Sequence, residues 1–376
     1  MTSTRADRAE RVATTAAFFV NGYGIGAWAA SIPGLQAKLG LSSAGLSAAL
    51  FAFAAGSLCA LPVAGLLAPK FGTGPSTRTM MLVFAVALLA PPLARDLPGF
   101  AAAALAMGAA SGALDVAMNA HGSIVEGRRR AAIMSSLHAA FSGGGLLGAG
   151  LASASPLRTM GGAAALGVVL SFAAWRTLRG GEAVPRGTGA RLVLPGRATL
   201  TLGAAALLSM LCEGAAADWS GVYLRAVAAA SPGRLGAAYA AFSAAMLVVR
   251  LLGDRVVSAC GPRAVVGGGG ALAAAGMGLA AAMPAQAATL GFGLLGLGLA
   301  NIVPTLFSAA GRLTSTAPSA GVAAVATAGY AGFLVGPAMI GAIAQAAGLH
   351  LAMSVLVLCP GLIVVVAFRS ALGTSR

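Results

Sequence analysis

The sequence predicts an all-α, polytopic membrane protein with twelve helices in two halves of six. Three observations predict this class. Only 9% of the 376 residues are charged and 58% are hydrophobic, whereas soluble domains carry about 25% charged residues. Apolar runs of about 20 residues, the length that crosses a bilayer as a helix, recur along the whole chain. Segments rich in Arg, Gly and Pro separate these runs.

Each apolar run is predicted to be a helix, because a backbone in lipid must satisfy its own hydrogen bonds. Membrane β-strands would be shorter and would alternate in polarity. In order, the predicted spans are residues 12–36, 44–69, 79–94, 98–119, 131–154, 159–178, 198–224, 234–254, 264–283, 287–310, 318–347 and 349–369.

The longest polar interval, residues 179–197, is predicted to be a cytoplasmic middle loop. It separates an N-terminal six-helix bundle, residues 1–178, from a C-terminal bundle, residues 198–376. Similar loop signals follow the second and eighth spans, at Gly72 and Gly261, and their separation of about 190 residues predicts two parallel repeats.

The net charge of +15 indicates topology rather than nucleic-acid binding, because no basic patch is interleaved with aromatic residues. If both termini are cytoplasmic, only five of the 24 Lys and Arg residues lie outside: Lys38, Arg95, Arg158, Arg225 and Arg234. This excess of positive charge inside predicts that both termini are cytoplasmic and that the number of spans is even. The start of the chain also resembles a signal peptide, with Ala27-Trp28-Ala29 as a cleavage site. We expect a retained first helix, because its removal would disturb the topology.

Polar side chains within the spans recur every three helices. The three asparagines are Asn21, Asn119 and Asn301, in the first, fourth and tenth spans. The acids away from loops and helix ends are Asp115, Glu213 and Asp218, in the fourth and seventh spans. An ionisable side chain in hydrocarbon costs roughly 2.5–3.5 kcal/mol on insertion scales. The period therefore predicts three-helix units whose first helices face a central cavity.

A loop motif resembles one known family of transporters. Gly253-Asp254-Arg255, followed by Gly261 and Arg263, resembles the signature loop of the major facilitator superfamily, here in its second-half copy. The first-half copy, residues 65–72, has Ala68 where the family carries aspartate. The resemblance implies that helices one, four, seven and ten line a transport pathway and that the loop acts as a conformational switch.

Shorter stretches resemble one branch of that superfamily. Residues 114–119, with Asp115 and Asn119, are similar to the fourth helix of fucose-permease-type proton symporters, and residues 302–308 to their tenth helix. Residues 21–24, 136–138 and 212–219 resemble a little-characterised bacterial branch near those permeases. The first span lacks the acid that sugar symporters carry there. The resemblance implies a sugar-like solute that moves with protons.

Three residues are candidates for proton coupling. Asp115 and His138 lie at similar depths, so they could form a protonation-dependent pair if their helices adjoin. A polar clamp between helices is the alternative interpretation. Glu213, slightly past the middle of the seventh span, is a candidate for a second protonatable or substrate-binding group. For Asp218, nearer the outer end, we expect contact with water or Arg225.

Other polar and aromatic residues are candidates for binding a hydroxylated solute. The hydrogen-bonding candidates are Asn21, Tyr23, Asn119, Asn301 and Tyr330. Trp28 and Trp219 could stack on a sugar ring or serve as interfacial anchors. Pro304 frees a backbone carbonyl near Asn301, which either opens a binding niche or is satisfied by that amide. Residues 143–148 match G-x-G-x-x-G but lie in a hydrophobic helix, so we expect close helix packing.

These observations favour a secondary active transporter that imports a small, sugar-like solute with proton coupling and alternating access. An efflux antiporter for drugs or metabolites is the alternative, because apolar cavities also suit lipophilic compounds. A non-transport scaffold or a membrane-embedded enzyme is the distant third, since no nucleophile and base form a recognisable set. We expect no ATP, metal or other cofactor, because the sequence has no Walker loop and its four cysteines lie far apart. We also expect a monomer.

Overall fold

The predicted all-α class is confirmed in the computed structural model. Its described residues are 5–129, 133–152, 155–178, 196–282, 285–313, 318–369 and 372. Within these ranges the regular elements are helices, and no strand occurs.

Every predicted span contains a helix. The first half comprises α1 (Arg5–Leu39), α2 (Ser43–Phe71), α3 (Thr73–Ala87), α4 (Ala90–Leu93), α5 (Leu97–Arg129), α6 (Met134–Gly150) and α7 (Pro156–Ala174). The second comprises α8 (Arg197–Ala226), α9 (Ala237–Cys260), α10 (Pro262–Ala282), α11 (Ala285–Leu299), α12 (Ile302–Leu313), α13 (Pro318–Ala347), α14 (Leu349–Val355) and α15 (Leu358–Arg369). The third, tenth and twelfth predicted spans are each divided into two helices.

Ten stretches of the described residues are long and apolar enough to cross a membrane, by length and composition. They coincide with all predicted spans except the first and the fifth. The first lies in α1, which has 35 residues. The fifth lies in α6, which has 17 residues and is flanked by residues outside the described part.

The chain folds as two compact units. The first contains Met1–Arg186 and Pro232–Ala240, and the second contains Gly187–Ser231 and Ala241–Arg376. In the first unit, α1 packs along α6 and α7, and α5 packs along α2 and α3. In the second unit, α8 packs along α13, and α10 packs along α11 and α15.

Side-chain oxygens fix the starts of several helices. The Ser42 hydroxyl accepts a hydrogen bond from the Gly45 N–H at the start of α2. A carboxylate oxygen of Asp96 accepts one from Gly99 N, at 2.8 Å, at the start of α5. The Glu126 carboxylate accepts from Ile133 N at 2.6 Å and Met134 N at 2.9 Å. Negative groups are stabilised at helix N-termini, so Glu126, in the last turn of α5, stabilises the start of α6.

Two glycines form the same sharp joint in the two halves. Gly72 separates α2 from α3 with φ of 84°, and Gly261 separates α9 from α10 with φ of 78°. L-residues with a side chain rarely adopt such positive φ, so glycine is required at both joints. The two loop signals singled out in the sequence therefore share one backbone conformation.

The glycine run of α6 packs closely on α1, as predicted. A Cβ atom on Gly144 would overlap the carbonyl oxygen of Phe19, and one on Gly148 would overlap that of Tyr23. On α1, a Cβ on Gly22 would overlap the carbonyl oxygen of Phe141. Small residues thus bring these two backbones into contact, as is common between membrane helices.

Candidate functional site

In the first unit, Asn21 joins two helices. Its side-chain carbonyl on α1 accepts a hydrogen bond from the Ser111 hydroxyl on α5, at 3.0 Å, and both residues are buried. A buried amide is stable only when it is hydrogen-bonded. Asn21 therefore holds α1 against α5, whichever further role it has.

Asp115 and Asn119 form a local pair on α5. The Asn119 amide donates to the Asp115 backbone carbonyl at 2.8 Å and to its carboxylate at 3.1 Å. Both residues are half-buried. The small face that precedes them is a helix contact, because Gly108 and Gly112 pack against the backbone of Phe53 and Ser57 on α2. The acid and amide therefore remain partly accessible beside a closely packed stretch.

His138 lies on α6 against an aromatic ring of α1. The imidazole meets the edge of Phe18 with ring centroids 5.2 Å apart and planes at 79°. Its backbone carbonyl accepts from the Ser142 hydroxyl at 3.2 Å. The protonation-dependent pair with Asp115 stays a prediction.

Both tryptophan candidates are buried within their own units. Trp28 stacks on Phe53 with centroids 5.9 Å apart and also contacts Phe100 at 5.8 Å. Trp219 is fully buried in α8. Neither indole N–H has a hydrogen-bond partner among the described residues. Trp28 thus packs against rings of α2 and α5, and the two roles predicted for the tryptophans, stacking on a sugar or anchoring at the interface, stay predictions. Tyr23 is half-buried, with its ring centroid 5.8 Å from that of Phe19.

In the second unit, Glu213 faces an arginine. The Glu213 carboxylate on α8 lies 3.8 Å from an Nη atom of Arg250 on α9, and the two side chains are 23% and 17% exposed. Both residues lie inside candidate membrane spans, Arg197–Ala226 and Pro232–Gly253. The sequence placed Arg250 near the cytoplasmic end of the eighth predicted span and counted it as a topological charge. The structure adds that its guanidinium lies opposite the acid. Asp218, for which we expected contact with water or Arg225, is buried, and the contact with Arg225 stays a prediction.

Asn301 lies where the tenth predicted span is broken, between α11 and α12. Its side-chain oxygen contacts Gly253 so closely that a Cβ on that glycine would lie 2.7 Å away. Its backbone carbonyl accepts from the Thr305 hydroxyl at 2.6 Å. The amide nitrogen is buried and has no hydrogen-bond partner among the described residues. The structure therefore brings together two candidates, Asn301 and Gly253, that the sequence had assigned to different roles.

The switch motif is helical rather than a loop. Gly253, Asp254 and Arg255 lie within α9, which continues to Cys260, and Gly261 alone forms the joint to α10. The side chain of Asp254 lies outside the described part, and Arg255 is exposed. Arg263 donates to the Phe368 carbonyl at 2.6 Å, and its guanidinium lies 5.2 Å from the centre of that ring. Arg263 thus links α10 to α15.

Tyr330 is half-buried on α13, with its ring centroid 6.2 Å from that of Phe333. Among the described residues, no three His, Cys, Asp or Glu side chains gather as metal ligands would.

A charged cluster in the first unit was not predicted. The fully buried ring of His121 on α5 is hydrogen-bonded through Nδ1 to the Thr73 hydroxyl on α3, at 3.0 Å. Its Nε2 lies 3.3 Å from a Glu10 carboxylate oxygen on α1. The same oxygen accepts from Arg128 at 2.6 Å. This cluster ties three helices together near the start of α1.

The chain has close relatives among curated proteins. It is 37% identical to an uncharacterized MFS-type transporter of Yersinia pestis, over 98% of this chain and 96% of that protein. It is 35% identical to the membrane protein MosC of Rhizobium meliloti, over 89% and 84% of the two chains. No protein-family model matches the chain.

Solved structures share its fold. A variant of the nucleoside transporter NupG superposes with a TM-score of 0.77 and 12% identity, covering 96% of this chain and 98% of that one. A bacterial homologue of the human lysosomal transporter Spinster, in an inward-facing and unoccupied conformation, gives a TM-score of 0.76 and 14% identity, covering 98% and 97%. At these identities the likeness shows the fold alone.

Proposed function

Because the chain belongs to the major facilitator superfamily of membrane transporters, we propose that it is a secondary active transporter that moves a small, sugar-like solute with protons. We place it in the bacterial cytoplasmic membrane with both termini in the cytoplasm. The binding site opens alternately to the two sides of the membrane. The relatives' names support the transporter class, and the positive charges support the orientation.

The pair of Glu213 and Arg250 is the observation that carries the proposal. Two opposite charges inside apolar helices are costly, and residues kept there against that cost are functional candidates. Their 3.8 Å separation and partial exposure leave the carboxylate accessible to a proton. Protonation of Glu213 removes its attraction to Arg250, and deprotonation restores it. One contact with two states is what a proton-driven conformational change requires.

Partly accessible amides and acids support a hydroxylated solute. Asn119 and Asp115 are half-buried on α5, and the Asn301 amide nitrogen is a buried donor without a partner among the described residues. Within the first unit, the Asp115 carboxylate and the Asn119 amide offer acceptors and donors that match sugar hydroxyls. Because NupG is a nucleoside transporter, nucleosides belong among the solutes to be tested.

A thermal-shift screen of the purified protein tests the solute class. The probes are sugars, polyols, nucleosides and lipophilic cations. We expect stabilisation by hydroxylated compounds, because ligands that bind the folded state raise its melting temperature. Stabilisation by lipophilic cations alone would contradict the import proposal and favour efflux.

Uptake into proteoliposomes under an imposed pH gradient tests the coupling. We expect Glu213→Gln or Asp115→Asn to abolish gradient-driven uptake of the solute that the screen identifies, while the protein still inserts. Asp96→Asn is the matched control, because it makes the same change of acid to amide at an exposed helix start. Wild-type rates in both test variants would remove these acids from the mechanism.

A further inference from the structure

A basic cavity lies in the first unit, at one end of α1. It has a volume of about 440 Å³ and is lined by Arg8, Arg11, Val12, Thr15 and Arg129. The first four share one face of α1, since residues three, four and seven apart lie above one another on a helix. Arg129 comes from the end of α5 and donates to the Asp7 carbonyl at 3.3 Å. Small-ligand cavities have volumes of about 300–1,000 Å³.

The positive charge of this cavity is not neutralised by the acid next to it in sequence. Glu10 lies between Arg8 and Arg11 in the chain, but its carboxylate binds Arg128 and lies beside His121. Among the described residues neither Arg8 nor Arg11 forms an ion pair, and Arg8 is exposed. The cavity lining therefore contains two guanidiniums without an ion pair among the described residues, and none of the five lining residues is acidic. Guanidinium is the group that best matches the geometry of phosphate oxygens.

The position of the cavity indicates which phosphate it holds. Arg129 follows the candidate membrane span Leu97–Glu126 by less than one helical turn. Arg8 and Arg11 directly precede the first predicted span, and Val12 beside them is 68% exposed. Guanidinium groups that lie next to an exposed apolar side chain, where a membrane span begins, match a phosphate group that carries acyl chains. We infer that this cavity binds the phosphate headgroup of an anionic phospholipid in the cytoplasmic leaflet.

Native mass spectrometry of the purified full chain tests this inference. The probes are phosphatidylglycerol, phosphatidylcholine with the same acyl chains, and inorganic phosphate. Each basic residue that contacts the headgroup at a membrane surface contributes roughly a fivefold gain in affinity for anionic lipid. We therefore expect Arg8→Gln with Arg11→Gln to weaken phosphatidylglycerol binding roughly 30-fold. Phosphatidylcholine should bind far more weakly to the wild-type protein.

The matched control is Arg176→Gln with Arg197→Gln, which removes the same charge from exposed residues outside the cavity. This control should keep wild-type affinity. If the Arg8 and Arg11 variant binds like the wild type, or the control loses as much, the inference is overturned. Displacement of phosphatidylglycerol by equal concentrations of inorganic phosphate would overturn the assignment to lipid. If the double variant does not fold, Arg8→Gln alone should still lower the affinity about fivefold.

Discussion

The contact between Glu213 and Arg250 in the second unit is expected to affect the stability of the protein as well as transport. Removing one member of a buried pair leaves the other charge uncompensated, which costs about 3–5 kcal/mol when both are fully buried. Glu213 and Arg250 are partly exposed and 3.8 Å apart, so we expect a smaller loss of about 1–2 kcal/mol for Arg250→Gln. Thermal unfolding in detergent would measure this loss.

The double variant is the control for that prediction. With Glu213→Gln added to Arg250→Gln, no charge is left alone, so we expect the melting temperature to recover part of the loss. Additive losses in the double variant would show that the two side chains do not interact in the folded protein.

The hydrogen bond between buried His121 and Thr73 is also expected to stabilise the folded protein. Thr73→Val deletes the hydroxyl that is hydrogen-bonded to His121, and leaves a fully buried ring nitrogen without that partner. Such an unsatisfied group costs about 1–3 kcal/mol. Thr77→Val is the matched control, because the Thr77 hydroxyl donates only to a backbone carbonyl of its own helix. We expect a clearly lower melting temperature for the first variant than for the second, and equal losses would contradict the role of the histidine contact.

Partners far apart in sequence could not be predicted at the residue scale. The sequence singled out Glu213 because an acid in an apolar run is unusual, but Arg250 lay near a span end and was taken as a topological charge. His121 and Glu10 were passed over for the same reason, since both lie near predicted helix ends. Only packing brings Glu10 to 3.3 Å from His121. Composition identifies which side chains are costly in lipid, whereas the fold decides which partner offsets that cost.

At the scale of elements, the contact between α1 and α6 depends on the absence of side chains. A Cβ on Gly148 would overlap the backbone of Tyr23, whereas one on Gly150 would have nothing within 4 Å. We expect Gly148→Ala to destabilise the protein by about 1–3 kcal/mol, because backbone cannot move aside as a flexible side chain can. Gly150→Ala, in the same helix, should be neutral. Melting temperatures of the two variants would test this, and equal values would contradict close packing at Gly148.

The sequence predicted the positions of the membrane-spanning helices better than the positions at which those helices are interrupted. Apolar runs give spans because lipid leaves the backbone no other partner. Proline did not mark the breaks reliably: Pro33 and Pro337 lie inside the continuous helices α1 and α13. The tenth span does break, just before Pro304, whose missing N–H leaves the Ala300 carbonyl without its helical donor. Whether neighbouring helices satisfy such a carbonyl depends on tertiary packing, which the local sequence does not contain.

At the scale of the whole molecule, the two parallel repeats stay a prediction, which one shared backbone feature supports. Gly72 and Gly261 were paired by their similar loop signals, and both adopt positive φ at a one-residue joint. The superfamily was predicted because the motif Gly253-Asp254-Arg255 resembles its signature loop, in a chain whose apolar runs predict twelve spans. Solute identity was not predictable, because it depends on a few side chains whose partners the fold selects.

The orientation gives the last prediction, which depends on the whole chain. Since most Lys and Arg lie on one side of the predicted topology, that side should be cytoplasmic. In a background without the four native cysteines, Arg95→Cys should react with a membrane-impermeant maleimide in intact cells. Arg197→Cys should react only after permeabilisation. Both positions are exposed, so accessibility within the protein does not limit labelling. The reverse pattern would invert the topology. Labelling of both in intact cells would contradict the three spans predicted between residues 95 and 197, because an odd number of spans puts the two residues on opposite sides of the membrane.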